Sequence, residues 1–168
     1  MIDESTFIDV PEYATAVVRV STPRSEMREA MGAARRALHA GLVQQGVSPA
    51  GPMFSHHFKM EPGIFDFEIG VPVDSPVTAS GRLEPSRIPA AKMVRTIYHG
   101  GYEGLGEAWE SFDDALAAQG LHIREDLWET YLVGFDQSDD DSGFQTELKR
   151  SLLSSPTPSA SAASMQNR

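Results

Sequence analysis

A single carboxylate stands inside a run of strand-forming residues near the C-terminal end of the sequence. The run is DLWETYL, residues 126–132, and Glu129 lies in its middle. An ionised acid in a half-buried strand is costly unless something compensates its charge. Glu129 is therefore a candidate site residue, with Tyr131 as its candidate neighbour.

Strand geometry divides this run between two faces. Glu129 and Tyr131 share one face, because successive side chains of a strand alternate. The other face carries Trp128, Thr130 and Leu132. We expect this second set to pack against the helices and the first set to point into a groove. The alternative is that Glu129 is an ordinary solvated strand residue.

An earlier strand offers neutral groups at the equivalent positions. The segment that begins at Phe54 matches the one that begins at Trp128, which places Ser55 and His57 at the positions of Glu129 and Tyr131. His57 is either a polar group of the groove or a surface histidine. The adjacent His56 must point to the other face, so the two histidines cannot chelate one metal from a regular strand. We therefore expect no metal site.

Further side chains complete the candidate groove. Tyr98 and Tyr102 flank a Gly-Gly pair, and large flat side chains commonly line ligand pockets. Met93 on the preceding strand either lines the groove or fills the core. Glu68 could add a second negative charge near Glu129. Trp109 lies on a helical apolar stripe, where we expect it to pack in the core.

The elements that would position these residues occur twice. Val-Pro at 10–11 and Ile-Pro at 88–89 each precede an apolar run typical of a strand. The two helical stripes that follow are separated by the same offset as the two prolines. They consist of Met27, Ala30, Met31, Ala34 and Leu38, and of Leu105, Ala108, Trp109, Phe112 and Leu116. Gly46 and Gly120 mark the helix ends, so the first helix should be about one turn longer.

The first strand after each helix is offset by about one helical turn less than the helices are, as a longer first helix requires, whereas the second strand is offset by 79 residues, close to the 78 of the helices. The pattern predicts an α+β fold of two pseudo-symmetric βαββ repeats, at about 7–76 and 84–152. We expect antiparallel sheets, helices packed on their outer side and a central ligand groove. A single domain should cover 1–152. Residues 153–168 are rich in Ser, Ala and Pro and are predicted to be a disordered tail.

Composition excludes several classes of function. The 168 residues contain no cysteine, which removes disulfides, thiolate metal sites and cysteine nucleophiles. The net charge of −10 repels phosphate backbones, so we expect no direct nucleic-acid binding. No segment predicts a membrane span, and the N-terminus is acidic, which favours a cytoplasmic protein. No phosphate-binding loop is present, and we expect no cofactor.

Four segments together resemble the GyrI-like small-molecule-binding family, which includes effector-binding domains of AraC- and MerR-type transcription regulators. These segments are RTIYHGGYEGLGEAWESF (95–112), DLWETYL (126–132), FDFEIGVPV (65–73) and the closing FQTEL. The resemblance implies the two-repeat fold and a groove for hydrophobic, often cationic, compounds, as in multidrug binding. It also implies that Glu129 is the anchor. Because the two repeats account for the chain without a helix-turn-helix segment, we expect a stand-alone member.

Three functions stay open at this point. The favoured one is ligand binding in a monomer or homodimer that sequesters or senses a compound, or regulates transcription through a partner protein. The second is a cofactor-free hydrolase of cyclopropanoid or other strained genotoxic compounds, in which Glu129 activates water and Tyr131 donates a hydrogen bond. The third is a protein-interaction role that resembles the gyrase inhibitory protein of the family.

Overall fold

The strands and helices follow the order ββαββ twice. In a computed structural model, residues 1–61, 63–134 and 140–153 are described, with the backbone alone at 59–61. The strands are β1 (Thr6–Val10), β2 (Tyr13–Pro23), β3 (Phe54–Glu61), β4 (Ile64–Pro72), β5 (Leu83–Ile88), β6 (Ala91–His99), β7 (Ile123–Val133) and β8 (Gln145–Leu152). The helices are α1 (Met27–Gln45) and α2 (Leu105–Ala118), each preceded by a short 3-10 turn. Each half thus adds a short first strand, β1 or β5, to the predicted βαββ order.

The helix ends agree with the glycine signals. Gly46 has φ of 68°, and its N–H donates to the carbonyls of Leu42 and Val43. Gly120, with φ of 75°, follows the end of α2. The left-handed backbone conformation at these positions favours glycine and closes the last helical turn. The helices have 19 and 14 residues, so the expectation of a longer first helix is confirmed.

All eight strands form one antiparallel sheet in the order β1-β6-β8-β7-β3-β4-β2-β5, and the protein is α+β. The halves exchange their first strands, because β1 pairs with β6 and β5 pairs with β2. Only Pro11 and Glu12 join β1 at one end of the sheet to β2 near the other end. A connection of this length spans about 11 Å at most. The sheet is therefore strongly curved, and its two ends approach each other.

Strand pairing has an internal two-fold symmetry. Val10 faces Ala91 at one end of the sheet, and Tyr13 faces Ile88 at the other. In the repeat Val10 corresponds to Ile88 and Tyr13 to Ala91, so each pair is the symmetry equivalent of the other. At the centre, Ser55 of β3 faces Glu129 of β7, and these two residues are also equivalent positions of the two halves. The pseudo-two-fold axis therefore passes through this central pair, which supports the proposed duplication.

Two apolar clusters lie on the sheet face that carries the helices, here called the helix face. The predicted stripes of both helices supply them. The first cluster places Ala34, Leu38 and Leu42 of α1 against β2 and β4, with members including Val18, Val20, Phe67 and Ile69. The second places Trp109, Phe112 and Leu116 of α2 against Val94, Leu127 and Leu148 of β6, β7 and β8.

A third apolar cluster lies on the opposite face, and it overturns one expectation. Trp128 packs there with Phe54 and Met93, and residues from both ends of the sheet join them. Leu127, the neighbour of Trp128, is the residue that faces α2. The prediction that Trp128, with Thr130 and Leu132, packs against the helices is therefore wrong. Because the curved sheet buries apolar side chains on both faces, hydrophobicity could not identify the face that meets the helices.

Candidate functional site

Polar side chains occupy the helix face of the two central strands. Ser55 and His57 of β3 and Glu129 and Tyr131 of β7 form this central strip. The strip separates the apolar cluster beneath α1 from the cluster beneath α2. Ser55, His57 and Glu129 are 0%, 5% and 9% exposed, and Tyr131 is half-buried. The residues predicted from strand alternation therefore do lie together, but in a nearly closed position.

Glu129 accepts a hydrogen bond at each carboxylate oxygen. The indole Nε1 of Trp109 donates to Oε2 at 2.7 Å, and the hydroxyl of Tyr131 donates to Oε1 at 2.8 Å. The Tyr131 hydroxyl also lies 2.8 Å from Ser55 Oγ. Since the one hydroxyl proton of Tyr131 is used in the hydrogen bond to Glu129, Ser55 must donate the hydrogen bond to Tyr131. The strip thus contains a chain of hydrogen bonds that runs from Ser55 through Tyr131 to Glu129.

Burial keeps the Tyr131 hydroxyl, the middle group of these hydrogen bonds, in its neutral form. Burial first, and then the negative charge of Glu129, raise the pKa of the Tyr131 phenol well above 10. Tyr131 therefore remains a neutral hydrogen-bond donor across the physiological range. Trp109 is likewise a neutral donor. Neither donor to Glu129 carries a positive charge.

His57 lies beside this network as a neutral ring. It stacks on Phe67 with ring centroids 4.5 Å apart and presents an edge to Phe65 at 6.2 Å. Burial lowers the pKa of His57, and it outweighs the charge of Glu129, which acts in the opposite direction. The Nδ1 atom of His57 is buried and has no hydrogen-bond partner among the described residues.

The two predicted tyrosines have different places. The ring of Tyr102 presents its edge to Tyr131 at 5.9 Å, so Tyr102 borders the strip. Tyr98 instead packs in the cluster beneath α2, is 7% exposed, and donates its hydroxyl proton to the carbonyl of Gly101 at 2.8 Å. Gly100 makes room for it, because a Cβ there would lie 2.7 Å from that hydroxyl. The expectation that Tyr98 lines the groove is therefore corrected to a packing role.

Two predicted site residues lie on the wrong face of the sheet to join Glu129. Met93 is 2% exposed in the cluster around Trp128. Glu68 faces His56 in the β3–β4 register, and its carboxylate lies 3.9 Å from Nδ1 of His56. Because neighbouring residues across a sheet share a face, Glu68 cannot add a second charge beside Glu129.

The contact between Trp109 and Glu129 could not be predicted from the sequence. Trp109 was expected in the core, and it does pack there at 9% exposed, yet its indole nitrogen holds the carboxylate. Arg150 lies over the Trp109 ring, 5.3 Å from its centroid, and forms two hydrogen bonds with Asp113 at 2.7 and 3.1 Å. No spacing in the sequence connects a helical stripe with an acid on the following strand. Only the packing of α2 on β7 brings them together.

A second polar group lies on the opposite face at the same strand pair. His56 stacks on Trp128 with ring centroids 3.6 Å apart, and its Nε2 lies 2.7 Å from Asp126. His56 and His57 thus point to opposite faces, as alternation predicts. An open cavity of about 580 Å³ borders His56 and Asp126, on the other side of the sheet from Glu129. The described residues contain no cluster of three His, Asp or Glu side chains with metal-binding geometry.

Sequence comparison identifies the family. Residues 3–149 match the family described as the GyrI-like small molecule binding domain. A search of curated proteins found no match. Within the described ranges, no helix is both long and apolar enough to cross a membrane.

Solved structures share the fold at low sequence identity. The C-terminal domain of EcmrR aligns with a TM-score of 0.79 and 17% identity, covering 90% of this chain and 98% of that chain. The EcmrR chain in a complex with DNA aligns with this chain with a TM-score of 0.75 and 19% identity. The alignment covers 89% of this chain but only 57% of the EcmrR chain.

Two further solved structures share the fold. SAV2435, solved with tetraphenylphosphonium bound, aligns with a TM-score of 0.63 and 12% identity over 89% of this chain and 94% of that chain. A hydrolase from Listeria innocua aligns with a TM-score of 0.61 and 14% identity over 89% of this chain and 91% of that chain. At these identities the likeness shows a common fold.

Proposed function

Since the chain belongs to the family of GyrI-like small molecule binding domains, we propose that it binds a hydrophobic organic cation at Glu129. The bound cation would lie over the central strip, between the apolar clusters beneath α1 and α2. Tyr131 and Tyr102 would supply aromatic surface beside the charge. Through such binding the domain would sequester or sense its ligand, or report it to a partner protein.

One observation carries this proposal. Glu129 is 9% exposed, and its two hydrogen-bond donors, Trp109 and Tyr131, are both neutral. Among the described residues no positively charged donor reaches this nearly buried carboxylate, and a charge without a compensating partner is costly in a protein interior. A cationic ligand would supply the missing charge. An organic cation loses less hydration than a metal ion on entering such a site.

The structural relatives support a ligand of this class. SAV2435 binds tetraphenylphosphonium, a hydrophobic cation without hydrogen-bond donors. EcmrR, whose C-terminal domain has the same fold, forms a complex with DNA, which supports a role in sensing. Because Glu129 is nearly closed off here, we expect a ligand to displace side chains around the strip. Trp109 should report this displacement through its fluorescence.

Calorimetry with a charged and a neutral ligand tests the proposal. We expect tetraphenylphosphonium to bind, and Glu129→Gln to weaken it about 30- to 100-fold, because the substitution removes the charge and keeps the shape. The affinity for triphenylphosphine oxide, a neutral compound with similar aryl groups, should fall much less. The matched control is Glu125→Gln, since Glu125 lies on the same strand but is exposed. Equal losses for the two ligands, or no loss for the cation, would refute the role of Glu129.

A second candidate function rests on the hydrogen-bond chain itself. Ser55, Tyr131 and Glu129 form a connected set of proton donors and an acceptor, and a Listeria innocua hydrolase shares the fold. A carboxylate and a phenol could assist water in opening a strained electrophile, where the barrier to be removed is small. If so, the protein should slowly hydrolyse strained alkylating compounds, and Glu129→Gln should abolish the reaction. Turnover of an unstrained ester that survives Glu129→Gln would contradict this candidate.

A further inference from the structure

His57 contains a buried polar atom that the folded protein leaves without a partner among the described residues. The side chain is 5% exposed, and Nδ1 forms no hydrogen bond with any of them. Leaving a buried polar group unsatisfied destabilises a protein, and most such groups in native structures are paired. Stacking on Phe67 would be equally available to an apolar ring. Stability therefore does not explain why a histidine occupies this position.

The position of His57 relative to Glu129 would let its Nδ1 atom contact a ligand bound at Glu129. Ser55 lies directly opposite Glu129, and His57 is the next residue of β3 on the same face. Diagonal neighbours of this kind in an antiparallel pair lie about 7 Å apart between their Cα atoms. The stack on Phe67 and the edge contact with Phe65 hold the ring in one orientation. A ligand group bonded to the charged centre of a cation at Glu129 would thus lie within reach of His57.

We propose that His57 determines ligand specificity in the central strip, by accepting at Nδ1 a hydrogen bond from an N–H group of the cation that Glu129 binds. This inference rests on the proposed function and adds a preference, among the hydrophobic cations that Glu129 binds, for protonated amines and amidines. Those cations carry N–H donors beside their charge, whereas quaternary ammonium and phosphonium ions carry none. The neutral ring has a lone pair on one nitrogen and a proton on the other. Its lowered pKa keeps it neutral at pH 7.

Two probes with the same aryl group and the same charge, one with three N–H groups and the other with three N-methyl groups, test this specificity. They are 1-naphthylmethylammonium and (1-naphthylmethyl)trimethylammonium, both singly charged at pH 7. We expect His57→Phe, which retains an aromatic ring against Phe67, to weaken binding of the primary ammonium about five- to tenfold, as loss of one hydrogen bond does. The same substitution should leave the affinity for the trimethylammonium unchanged or raise it. An unchanged ratio of the two affinities would overturn the proposal.

A second measurement does not depend on the variant. In the unaltered protein, the primary ammonium should shift the 15N resonance of His57 Nδ1, and the trimethylammonium should leave it unchanged. Equal shifts with both probes would overturn the role of His57. Glu129→Gln separates this outcome from failure of the proposed function, because it should weaken both probes. If Glu129→Gln weakens neither, the cation site itself is wrong.

The stability of the variant provides a further check. A histidine kept for structural reasons should cost stability when it is replaced. We expect His57→Phe instead to leave the thermal midpoint unchanged or to raise it, because the substitution removes an unsatisfied buried atom. A midpoint lowered by several degrees would overturn the argument that stability does not explain this histidine.

Discussion

The two halves of the molecule share one backbone plan but differ at the axis that relates them. At the centre of the sheet the first half presents Ser55 where the second presents Glu129, and these residues face each other directly. The next position on the helix face holds His57 in one half and Tyr131 in the other. On the helices, Met31 of α1 corresponds to Trp109 of α2.

This difference shows why a duplicated unit needs divergence to form a site at its axis. A residue near a two-fold axis meets its own equivalent, so identical halves would place two carboxylates opposite each other. Like charges at that distance cannot both ionise without a large penalty. Ser55 avoids the conflict, and it also donates a hydrogen bond to the Tyr131 hydroxyl. The second half provides the charge and its donors, while the first half provides small and neutral groups.

The largest loss of stability is expected when both halves carry a glutamate at the central position. We expect Ser55→Glu to destabilise the protein by about 3 kcal/mol at pH 7, because a second buried acid would face Glu129. Thermal unfolding should show a midpoint lower by about 10 °C. One of the two carboxyl groups would have a raised pKa in the folded state, so the loss should shrink as the pH falls towards 4.

Ser55→Gln is the matched control for that experiment. Glutamine has nearly the same size as glutamate but no charge. If both variants lose the same stability, and the loss does not depend on pH, then crowding rather than charge distinguishes the two halves at this position.

An intermediate loss of stability is expected when Trp109 of α2 is replaced. Trp109→Phe removes the donor to Oε2 of Glu129 and leaves a cavity, which should cost about 2 to 3 kcal/mol. Met31→Leu, at the equivalent position of α1, conserves volume and should cost less than about 1.5 kcal/mol. Denaturant unfolding measures both. Similar costs for the two variants would contradict a contribution of the Trp109 hydrogen bond to stability.

A double-mutant cycle isolates the hydrogen bond of Trp109. Trp109→Phe should cost less in a protein that already carries Glu129→Gln, because the carboxylate it would leave without a donor is no longer present. Additive costs would contradict a direct coupling between the indole and the carboxylate.

A smaller effect is expected on the opposite face, where the halves meet through an ion pair. Burial alone would lower the pKa of His56, but its hydrogen bonds and the charges of Asp126 and Glu68 outweigh burial and raise it. Stabilisation by protonated His56 is therefore present in full below its unfolded pKa of 6.5 and is lost as the pH rises through the folded value. Burial would raise the pKa of Asp126, but the hydrogen bond and the charge of His56 outweigh burial and lower it. The stabilisation that ionised Asp126 gives the folded protein is therefore lost as the pH falls below about 4.

The pH dependence of unfolding checks this expectation. Between pH 4 and 6.5 we expect the pair to contribute about 1 kcal/mol, and His56→Gln should remove that contribution. The control is His39→Gln on α1, which replaces an exposed histidine away from the ion pair. A profile that His56→Gln does not flatten would contradict the ion pair between the halves.

The smallest effect is expected from the segment without a counterpart in the first half. Residues 154–168 lie outside the described residues, and their composition offers little apolar surface to bury. Removing them should leave both the thermal midpoint and ligand affinity unchanged. A midpoint lowered by several degrees would show that the segment packs on the domain.

Local sequence patterns determined the helices, the repeat offsets and the grouping of the central strip. Helical stripes and glycine ends predicted α1 and α2, because these signals act within a few residues. Strand alternation placed Glu129 with Tyr131 and Ser55 with His57, since a strand has a fixed period of two. The family resemblance added the candidate role of Glu129 and its ligand class.

The tertiary structure alone decided which face of the sheet meets the helices. Alternation groups residues by face but cannot say what covers that face, and this is why Trp128 was expected against the helices. Strand exchange and curvature bury both faces, so Met93 and Glu68 lie opposite Glu129. The contact of Trp109 with Glu129 likewise depends on how α2 packs across β7. Such contacts join residues far apart in the sequence, and no local period encodes them.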